Sequence, residues 1–302
     1  MALSRQSKRV GLSILAAVCL LVLAAAPAQA LYYPSGPQTF VPKTQLDGWQ
    51  LCFSDLYGAT ESLDNVLGPC NQDLLLLAGG PTDSPTFTVL AAAPRADVIF
   101  DTGESNTPHN ANGTGWYFNA NWSWGFAKEG DAINRDECDV VADQDPGPNP
   151  DLRLCWHTLG GNGSLSGGYR AGAAVDLNGS TDYTRYVYQA PRPSNSFSVR
   201  VSGKQLLVTV SASGSVSVAD AAAPLSASAS KKKKRRLRLN PSSASGSPPT
   251  ISIPLRLTKL AKQKLRQKGK VTVSGRITFT PQGGLANAQT VKLKIKGKRK
   301  KR

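Results

Sequence analysis

An aromatic block at residues 112–126 constrains this chain more than any other feature. It reads Asn-Gly-Thr-Gly-Trp-Tyr-Phe-Asn-Ala-Asn-Trp-Ser-Trp-Gly-Phe and holds three of the five tryptophans. Large aromatic side chains suit a pleated, half-buried surface. The block therefore predicts two short strands, 115–118 and 122–126, joined by a turn at 119–121.

The block has two interpretations. It is either the aromatic centre of a β-sandwich, which the pattern favours, or an exposed platform on which a sugar ring stacks. For the second interpretation the candidate ligand-binding residues are Trp116, Trp122 and Trp124, together with the nearby acids Asp101 and Glu104.

Residues 1–30 are typical of a secretory signal. Basic residues precede an apolar run at 12–26, and Ala-Gln-Ala at 28–30 is a small-x-small cleavage site. The run is short for a bilayer span, so we expect cleavage before Leu31 rather than an uncleaved anchor. The mature chain is then exported, with no transmembrane anchor after cleavage.

Four cysteines follow the predicted signal, and an even number in an exported chain predicts two disulfides. Three pairings are possible. Nearest-neighbour pairing, Cys52 with Cys70 and Cys138 with Cys155, would close two short loops and remove about 3 kcal/mol of unfolded-state entropy each. Zinc is the competing interpretation, but the chain has no Cys-x-x-Cys and two histidines.

The charge is divided between two halves of the chain. Residues 31–192, the acidic half, hold 8 basic and 19 acidic residues, a net charge of −11. Residues 193–302, the basic half, hold 25 basic residues and one acid, Asp220, a net charge of +24. This asymmetry predicts a domain boundary near residues 191–194.

The predicted fold class is all-β, with two β-sandwich-like domains and one short helix in the second. Short apolar runs in the acidic half are separated by Gly, Pro, Asn and Asp at the spacing of an all-β domain. The predicted strands are 49–53, 74–78, 86–92, 97–100, 115–118, 122–126, 152–158, 173–177 and 184–189.

In the basic half the pattern predicts six strands and a helix that Gly269 ends. Residues 221–249 lose all periodicity and contain Lys-Lys-Lys-Lys-Arg-Arg-Leu-Arg at 231–238, which predicts a disordered basic loop. The predicted strands are 196–201, 205–211, 215–219, 250–255, 270–281 and 290–296, and the helix carries Leu257, Leu260, Ala261 and Leu265 on one face.

Several motifs of the basic half occur in order: Pro-Ser-Asn-Ser-Phe at 193–197, Leu-Leu-Val-Thr-Val at 206–210, Ser-Gly at 213–214, Leu-x-x-x-Ala-Lys-x-x-Leu-x-x-Lys-Gly at 257–269 and Ile-Thr-Phe-Thr-Pro-Gln-Gly-Gly at 277–284. They resemble a C-terminal module of secreted proteins of soil actinobacteria. The resemblance implies an immunoglobulin-like, non-catalytic appendage, although the basic run is richer than that pattern. The acidic half resembles only uncharacterised secreted domains that share the Gly-Trp-Tyr-Phe and Ser-Trp-Gly-Phe phrases.

Four Asn-x-Ser/Thr sequons are present, and three of them, at Asn112, Asn162 and Asn178, are Asn-Gly pairs. An Asn-Gly pair is also typical of a tight turn. Because the signal and the tail resemble bacterial sequences, we interpret these pairs as turns rather than as glycosylation sites.

Covalent catalysis has little support in the sequence. It has no Gly-x-Ser-x-Gly elbow, and His157 ends an apolar strand, where a packed residue is expected more than a base. Hydrolysis of a polysaccharide by carboxylates is the alternative. Its candidates flank the aromatic block: Asp97, Asp101, Glu104 and Glu129.

Calcium is the one candidate cofactor. Hard cations take several oxygen ligands from a loop, and Asp139, Asp143, Asp145 and Asp151 offer them. The spacing departs from the twelve-residue calcium loop, and prolines interrupt it.

The basic half would bind anions. Lysine and arginine density alone gives non-specific affinity for phosphate, but Phe197 and Phe279 are the only aromatic residues available to stack bases. We therefore expect anionic polymers of the cell envelope, or extracellular carbohydrate, rather than a specific nucleic acid.

These patterns favour a secreted, non-enzymatic binding or surface protein, associated with the cell wall. The acidic half would recognise carbohydrate and the basic half would hold the protein near anionic polymer. A secreted polysaccharide hydrolase and a purely structural surface protein are the alternatives.

Overall fold

The computed structural model describes residues 31–59, 61–135, 138, 147–158, 169–223 and 238–297. Over these residues the fold is all-β, with several antiparallel sheets and three short α-helices. None of these helices has the length and apolar character needed to span a membrane. The predicted signal at 1–30 lies outside the described residues.

The described acidic half contains ten strands and two short α-helices. Two 3-10 turns, Lys43–Gln45 and Pro150–Leu152, accompany them. The strands are β1 (Gln38–Pro42), β2 (Gln50–Leu56), β3 (Leu74–Pro81), β4 (Thr86–Pro94), β5 (His109–Ala111), β6 (Thr114–Phe118), β7 (Ser123–Lys128), β8 (Leu154–His157), β9 (Arg170–Ala171) and β10 (Tyr183–Ala190), and the helices are α1 (Leu63–Leu67) and α2 (Arg95–Val98).

These strands form two five-stranded antiparallel sheets, ordered β1-β4-β3-β10-β2 and β5-β6-β7-β8-β9. One buried cluster contains residues of both sheets, including Leu75, Leu77 and Val187 from the first and Trp124 and Trp156 from the second. Aromatic and aliphatic side chains removed from water thus hold the two sheets of the acidic half together. This burial of apolar surface is the largest favourable term in folding.

Glycine is required opposite a tyrosine in the aromatic hairpin. Tyr117 of β6 pairs directly with Gly125 of β7. A Cβ atom at position 125 would lie 2.5 Å from the Tyr117 hydroxyl oxygen. The tyrosine ring therefore occupies the space that a side chain would need, which explains the glycine within the Ser-Trp-Gly-Phe phrase.

An Asn-Gly turn begins this sheet, as the sequence predicts. Asn112 and Gly113 have φ angles of 53° and 74° and join β5 to β6. Two successive left-handed residues are the hallmark of the two-residue hairpin turn that Asn-Gly favours. The Asn112 amide also donates to the carbonyls of Pro34 and Ala92. Of the other two pairs, Asn178 precedes a left-handed Gly179, and Asn162 lies outside the described residues.

Two strand predictions in the acidic half are wrong. Residues 97–100 overlap helix α2 instead, where Val98 is buried while Phe100 is half exposed, so the run offers no alternating face. Residues 173–177 hold only an isolated bridge at Ala174. The left-handed φ of 57° at Asp176 interrupts any extended strand there.

Both disulfides follow the nearest-neighbour pairing. Cys52 is bonded to Cys70 and Cys138 to Cys155, at sequence separations of 18 and 17. The first joins β2 to the segment before β3, and the second fixes position 138 against β8. Each covalently closed loop limits the unfolded chain, which is how a disulfide stabilises a fold in the chain-entropy model.

The described basic half contains nine strands and one α-helix. They are β11 (Phe197–Ser202), β12 (Gln205–Val210), β13 (Gly214–Asp220), β14 (Leu239–Asn240), β15 (Ser242–Gly246), β16 (Thr250–Pro254), β17 (Arg256–Leu257), α3 (Lys259–Lys268), β18 (Lys270–Pro281) and β19 (Asn287–Lys296).

A three-stranded sheet, β11-β12-β16, faces a four-stranded sheet, β15-β13-β18-β19. Alternate residues of both sheets meet in one apolar core, and α3 adds Ala261 and Leu265 to it. Thr258 caps the helix by accepting from the amide of Ala261, and Gly269 ends it with a left-handed φ of 65°, as predicted. No ladder among the described residues joins a strand of the acidic half to one of the basic half.

The predicted disordered loop at 221–249 is wrong in its last part. Leu239 is buried in the core and pairs with Leu257, while Ser242–Gly246 pairs with β13. This stretch has no hydrophobic periodicity because β15 is built of Ser, Ala and Gly. Residues 224–237, which hold most of the basic run, lie outside the described residues.

Asp220 organises this region. Its buried carboxylate accepts hydrogen bonds from the backbone amides of Ala222, Arg238 and Leu239. Burial alone would raise the pKa of Asp220, but these amides and the Arg238 charge outweigh it, so the pKa is lowered. The only acid of the basic half is thereby committed to holding both ends of one loop.

Trp124→Ala tests the core. Trp124 is fully buried and donates from its indole nitrogen to the carbonyl of Val98 at 3.0 Å. We expect a loss of about 3 to 5 kcal/mol in the free energy of unfolding, measured by denaturant titration. Trp122→Ala, at the neighbouring exposed tryptophan, should cost less than about 1 kcal/mol. Equal losses in the two variants would contradict the packing described here.

Asp220→Asn tests the loop clamp. The neutral amide loses two acceptor positions and the charge, so we expect the basic half to lose about 2 to 4 kcal/mol, measured by calorimetry at neutral pH. Because the folded pKa is lowered, the wild-type contribution is present above pH ~4 and disappears as pH falls through the folded pKa. All five tryptophans lie in the acidic half, so its fluorescence transition is the internal control and should not move.

Candidate functional site

The structure separates the three tryptophans of the block. Trp116 and Trp124 are completely buried, whereas Trp122 keeps 39% of its surface exposed. The ligand-binding role predicted for Trp116 and Trp124 is therefore wrong, because a fully buried ring offers no face to a ligand. The competing prediction, that the block is the centre of the sandwich, is confirmed for these two residues.

Trp122 lies in the turn between β6 and β7, one residue before the strand begins. Its backbone amide donates to the carbonyl of Asn119 at 3.3 Å. It thus leaves the strand alternation that would place it beside Trp124. The turn projects the ring at one end of the aromatic hairpin, where side chains of two neighbouring loops also converge.

A hydrogen-bonded chain of polar groups lies beside this turn. Asp101 accepts from the Gly103 amide at 2.8 Å and from the Asn119 side-chain amide at 3.3 Å. The side-chain oxygen of Asn119, Oδ1, in turn accepts from the Asn121 backbone amide at 2.9 Å. Asp101 also forms a bridge with Phe118, which fixes its loop against the end of β6.

Glu104, the other predicted acidic ligand, is exposed and has no hydrogen bond or ion pair with any described residue. Arg135 approaches from another loop, with its guanidinium carbon 5.8 Å from the centre of the Trp122 ring. This distance is within the range of a cation–π contact. We call Asp101, Asn119, Asn121, Trp122 and Arg135 the Trp122 edge.

His157 supports the Trp122 edge from below. It is buried at the end of β8, and its Nδ1 donates to the carbonyl oxygen of Trp122 at 3.0 Å. Thr158, next in the chain, donates its hydroxyl to the Asn119 carbonyl at 2.6 Å. The two contacts attach both ends of the turn to the last residue of β8 and the residue after it, so the turn that carries Trp122 is fixed in place. The prediction of a hydrogen-bonded, packed His157 is confirmed.

Burial controls the ionisation of His157. It lowers the pKa of His157, and the hydrogen bond to Trp122 offsets part of that effect. Since Nδ1 carries the donated proton, Nε2 of the neutral ring is an acceptor, and none of the described residues is hydrogen bonded to it. Burial also raises the pKa of Tyr169, whose ring lies 5.2 Å from that of His157.

A second histidine is paired with an acid elsewhere. His109 Nε2 lies 2.8 Å from the Asp97 carboxylate, and the ring stacks on Phe100 at 4.3 Å. A carboxylate–histidine pair positions a general base when a nucleophile follows. Among the described residues, no hydroxyl or thiol is hydrogen bonded to the other ring nitrogen of His109. The pair orients Phe100 and α2, and the described residues form no catalytic triad with it.

The predicted calcium loop is mostly outside the described residues, since Asp139, Asp143 and Asp145 are not among them. Asp151 is exposed in the turn Pro150–Leu152. The described residues contain no group of three or more His, Cys, Asp or Glu that would hold a metal ion. Calcium at this loop stays a prediction.

Buried arginines are the polar feature that the sequence analysis missed. Arg153, Arg170 and Arg185 are all at most 2% exposed. Their guanidinium groups donate to loop carbonyls: Pro148 and Ala132 for Arg153, Pro150 and Gly172 for Arg170, and Ala59 for Arg185. A basic residue within or beside an apolar strand was the signal that could have revealed these arginines. A charged residue at such a position is buried only when its charge is paired or hydrogen bonded.

The Trp122 edge has the composition of a polar recognition site. An exposed indole supplies a flat apolar surface, and amides, a carboxylate and a guanidinium supply donors and acceptors around it. Comparison with family models, with curated proteins and with solved structures found no match for this chain.

The pH dependence of stability tests the burial of His157. A histidine whose folded pKa is lowered binds its proton more readily when unfolded. Its contribution is therefore complete above about pH 6.5 and is lost as pH falls below that value. We expect the melting temperature of the acidic half, followed by tryptophan fluorescence, to fall between pH 7.5 and 5.5.

His157→Asn keeps a donor near the position of Nδ1 and should flatten this dependence. His109→Asn is the matched control and should leave it in place. A dependence that survives in His157→Asn would assign the titration to another group.

Proposed function

We propose that this chain is a secreted, non-enzymatic binding protein of the cell surface. Its acidic half recognises extracellular carbohydrate at the Trp122 edge, and its basic half associates with anionic polymer of the cell envelope. The observation that carries the proposal is the position of Trp122, half exposed in a turn whose two ends are hydrogen bonded to His157 and Thr158.

Carbohydrate suits this arrangement for two reasons. A sugar ring presents apolar C–H groups on one face and hydroxyl groups around its rim. The Trp122 indole suits the face, and Asp101, Asn119 and Asn121, which are linked to one another beside the turn, supply acceptors and amide donors for the rim. Because the turn is fixed before binding, little conformational entropy remains to be lost.

Arg135 adds a preference within this class. Its guanidinium lies over the Trp122 ring, so a sugar that carries a carboxylate or another anionic group would gain a charge-assisted contact. Neutral sugars would bind through the ring and the amides alone.

Export is supported by the predicted signal and by both disulfides, since disulfides persist in oxidising compartments. The paired three- and four-stranded sheets of the basic half support the immunoglobulin-like appendage that its motifs resemble. Its net charge of +24 supports an anionic partner outside the cell.

Hydrolysis by carboxylates has less support. Asp97 is hydrogen bonded to His109, and Asp101 is engaged by Gly103 and Asn119. These contacts orient the two acids toward protein groups. A purely structural surface protein would need no polar chain around an exposed tryptophan.

Binding to a panel of insoluble and soluble polysaccharides tests the carbohydrate role. Trp122→Ala should weaken binding by about tenfold, the equivalent of losing roughly 1.4 kcal/mol of ring contact, while its melting temperature falls by no more than about 4 °C. Asp101→Asn should weaken it further when combined with Trp122→Ala. The readout is affinity electrophoresis or pull-down with the full chain.

Phe40→Ala is the matched control, because Phe40 is 70% exposed and lies on β1, in the other sheet of the acidic half. It should leave binding unchanged. Retention of no polysaccharide by the wild-type chain would refute carbohydrate recognition. Equal weakening by Phe40→Ala and Trp122→Ala would move the site away from the Trp122 edge.

A further inference from the structure

A row of lysines lies on the outer face of the four-stranded sheet of the basic half. Lys292, Lys294 and Lys296 alternate along the edge strand β19, and Lys270 stands opposite Lys296 on β18. All four are exposed, while Leu293 and Ile295 between them point into the core. We call these four residues the lysine ladder.

We propose that the lysine ladder binds a linear polyol-phosphate polymer, a chain in which short polyhydroxy units alternate with phosphodiesters. This inference rests on the proposed association of the basic half with anionic polymer and assigns it a surface and a ligand class. Alternate residues of a strand are about 6.6 to 6.8 Å apart, so the ladder offers charges at a regular spacing along one direction.

The charge of the ladder is not neutralised within the described protein. None of the four lysines forms an ion pair with a described residue. Asp220, the only acid of the basic half, is committed to three backbone amides. Arg238 adds a further cation beside the ladder, since its guanidinium donates to the Thr272 carbonyl on β18.

The pair Lys270–Lys296 is itself unfavourable. The two residues lie directly opposite each other in the pairing of β18 with β19, and like charges at such positions repel each other. An external anion placed between them would convert this repulsion into attraction. The repulsion between Lys270 and Lys296 is therefore offset when an anion is bound at this surface.

The rest of the same face identifies the ligand class. Thr272 and Ser274 of β18 lie directly opposite Lys294 and Lys292, and their hydroxyl groups suit the hydroxyls of a polyol. Further hydroxyl groups lie on the same face, away from the ladder, on β18, β13 and β15: Thr278, Ser215, Ser217, Ser243 and Ser245. The described part of this face carries no aromatic side chain, so the bases of a single-stranded nucleic acid would have nothing to stack on. Lysine ammonium groups act as point charges and tolerate the changing geometry of a flexible phosphate chain.

Lysines on an edge strand also prevent sheets from pairing with each other. That role requires only that the edge stay charged or polar, and it predicts no ligand. Substitution by glutamine separates the two roles, because glutamine keeps the edge polar while removing the charge.

The experiment compares three full-length variants on synthetic poly(glycerol phosphate) between 50 and 200 mM salt. The ladder variant is Lys292→Gln/Lys294→Gln/Lys296→Gln. The control removes the same charge from exposed positions elsewhere in the basic half, Lys204→Gln/Lys259→Gln/Lys262→Gln. The third variant, Lys292→Arg/Lys294→Arg/Lys296→Arg, keeps the charge and guards against an effect of folding.

We expect the ladder variant to bind at least about tenfold more weakly. The slope of log affinity against log salt concentration should become shallower by roughly 2 to 3. The control should lose much less, and the arginine variant should bind like the wild type. Circular dichroism and size-exclusion chromatography verify that all three stay folded and elute like the wild type.

Each other outcome contradicts a defined part of the inference. Equal weakening in ladder and control variants would refute the ladder while leaving the anionic association in place. No binding by the wild type even at 50 mM salt would refute the association itself. Equal affinity for an oligothymidylate of the same charge would refute the polyol-phosphate class. Weak binding of poly(glycerol phosphate) by a folded arginine variant would show that the positive charge of the ladder is not what binds the polymer.

Discussion

The acidic half depends on the burial of tryptophan between its two sheets. Trp124 packs edge-on against Trp156 at 5.4 Å and against Phe118 at 5.7 Å, and Trp116 packs in the same way against Phe126. These rings fill the space between the sheets and fix the register of the hairpin. Because both strands of the hairpin are committed to the core, only its turn is left to meet a ligand. The position of the Trp122 edge is thus a consequence of how the core is built.

The sequence predicted this architecture as far as alternation and turn chemistry reach. The helix ended by Gly269, the turn at Asn112 and the predicted strands other than 97–100 and 173–177 are present. Strand β15 escaped prediction, since serine, alanine and glycine give no hydrophobic signal and pair only because β13 lies beside them. The side chain of Trp122 also could not be assigned, because one residue of shift at the end of a strand decides between core and solvent.

The candidate site was predictable only in part for a related reason. Asp101 and Trp122 are distant in the chain, and Asn119 brings them together through a contact that no spacing rule contains. The same holds for the buried arginines, whose partners are loop carbonyls. The charge of each half, in contrast, could be counted from the sequence, and the structure shows where the charged side chains lie. Positive charge stays exposed on one sheet face, while the single acid that would oppose it is used internally.

That use of Asp220 has a further consequence. One carboxylate anchors Ala222 and Arg238, so the segment between them begins and ends at the same point of the sandwich. The free energy of closing such a loop grows only with the logarithm of its length, by about 0.6 kcal/mol for each doubling. Residues can therefore be inserted or removed between these anchors while the rest of the sandwich keeps its contacts. The clamp makes this position a natural place to graft a peptide or a label, and a place where related chains can differ in length without a change of fold.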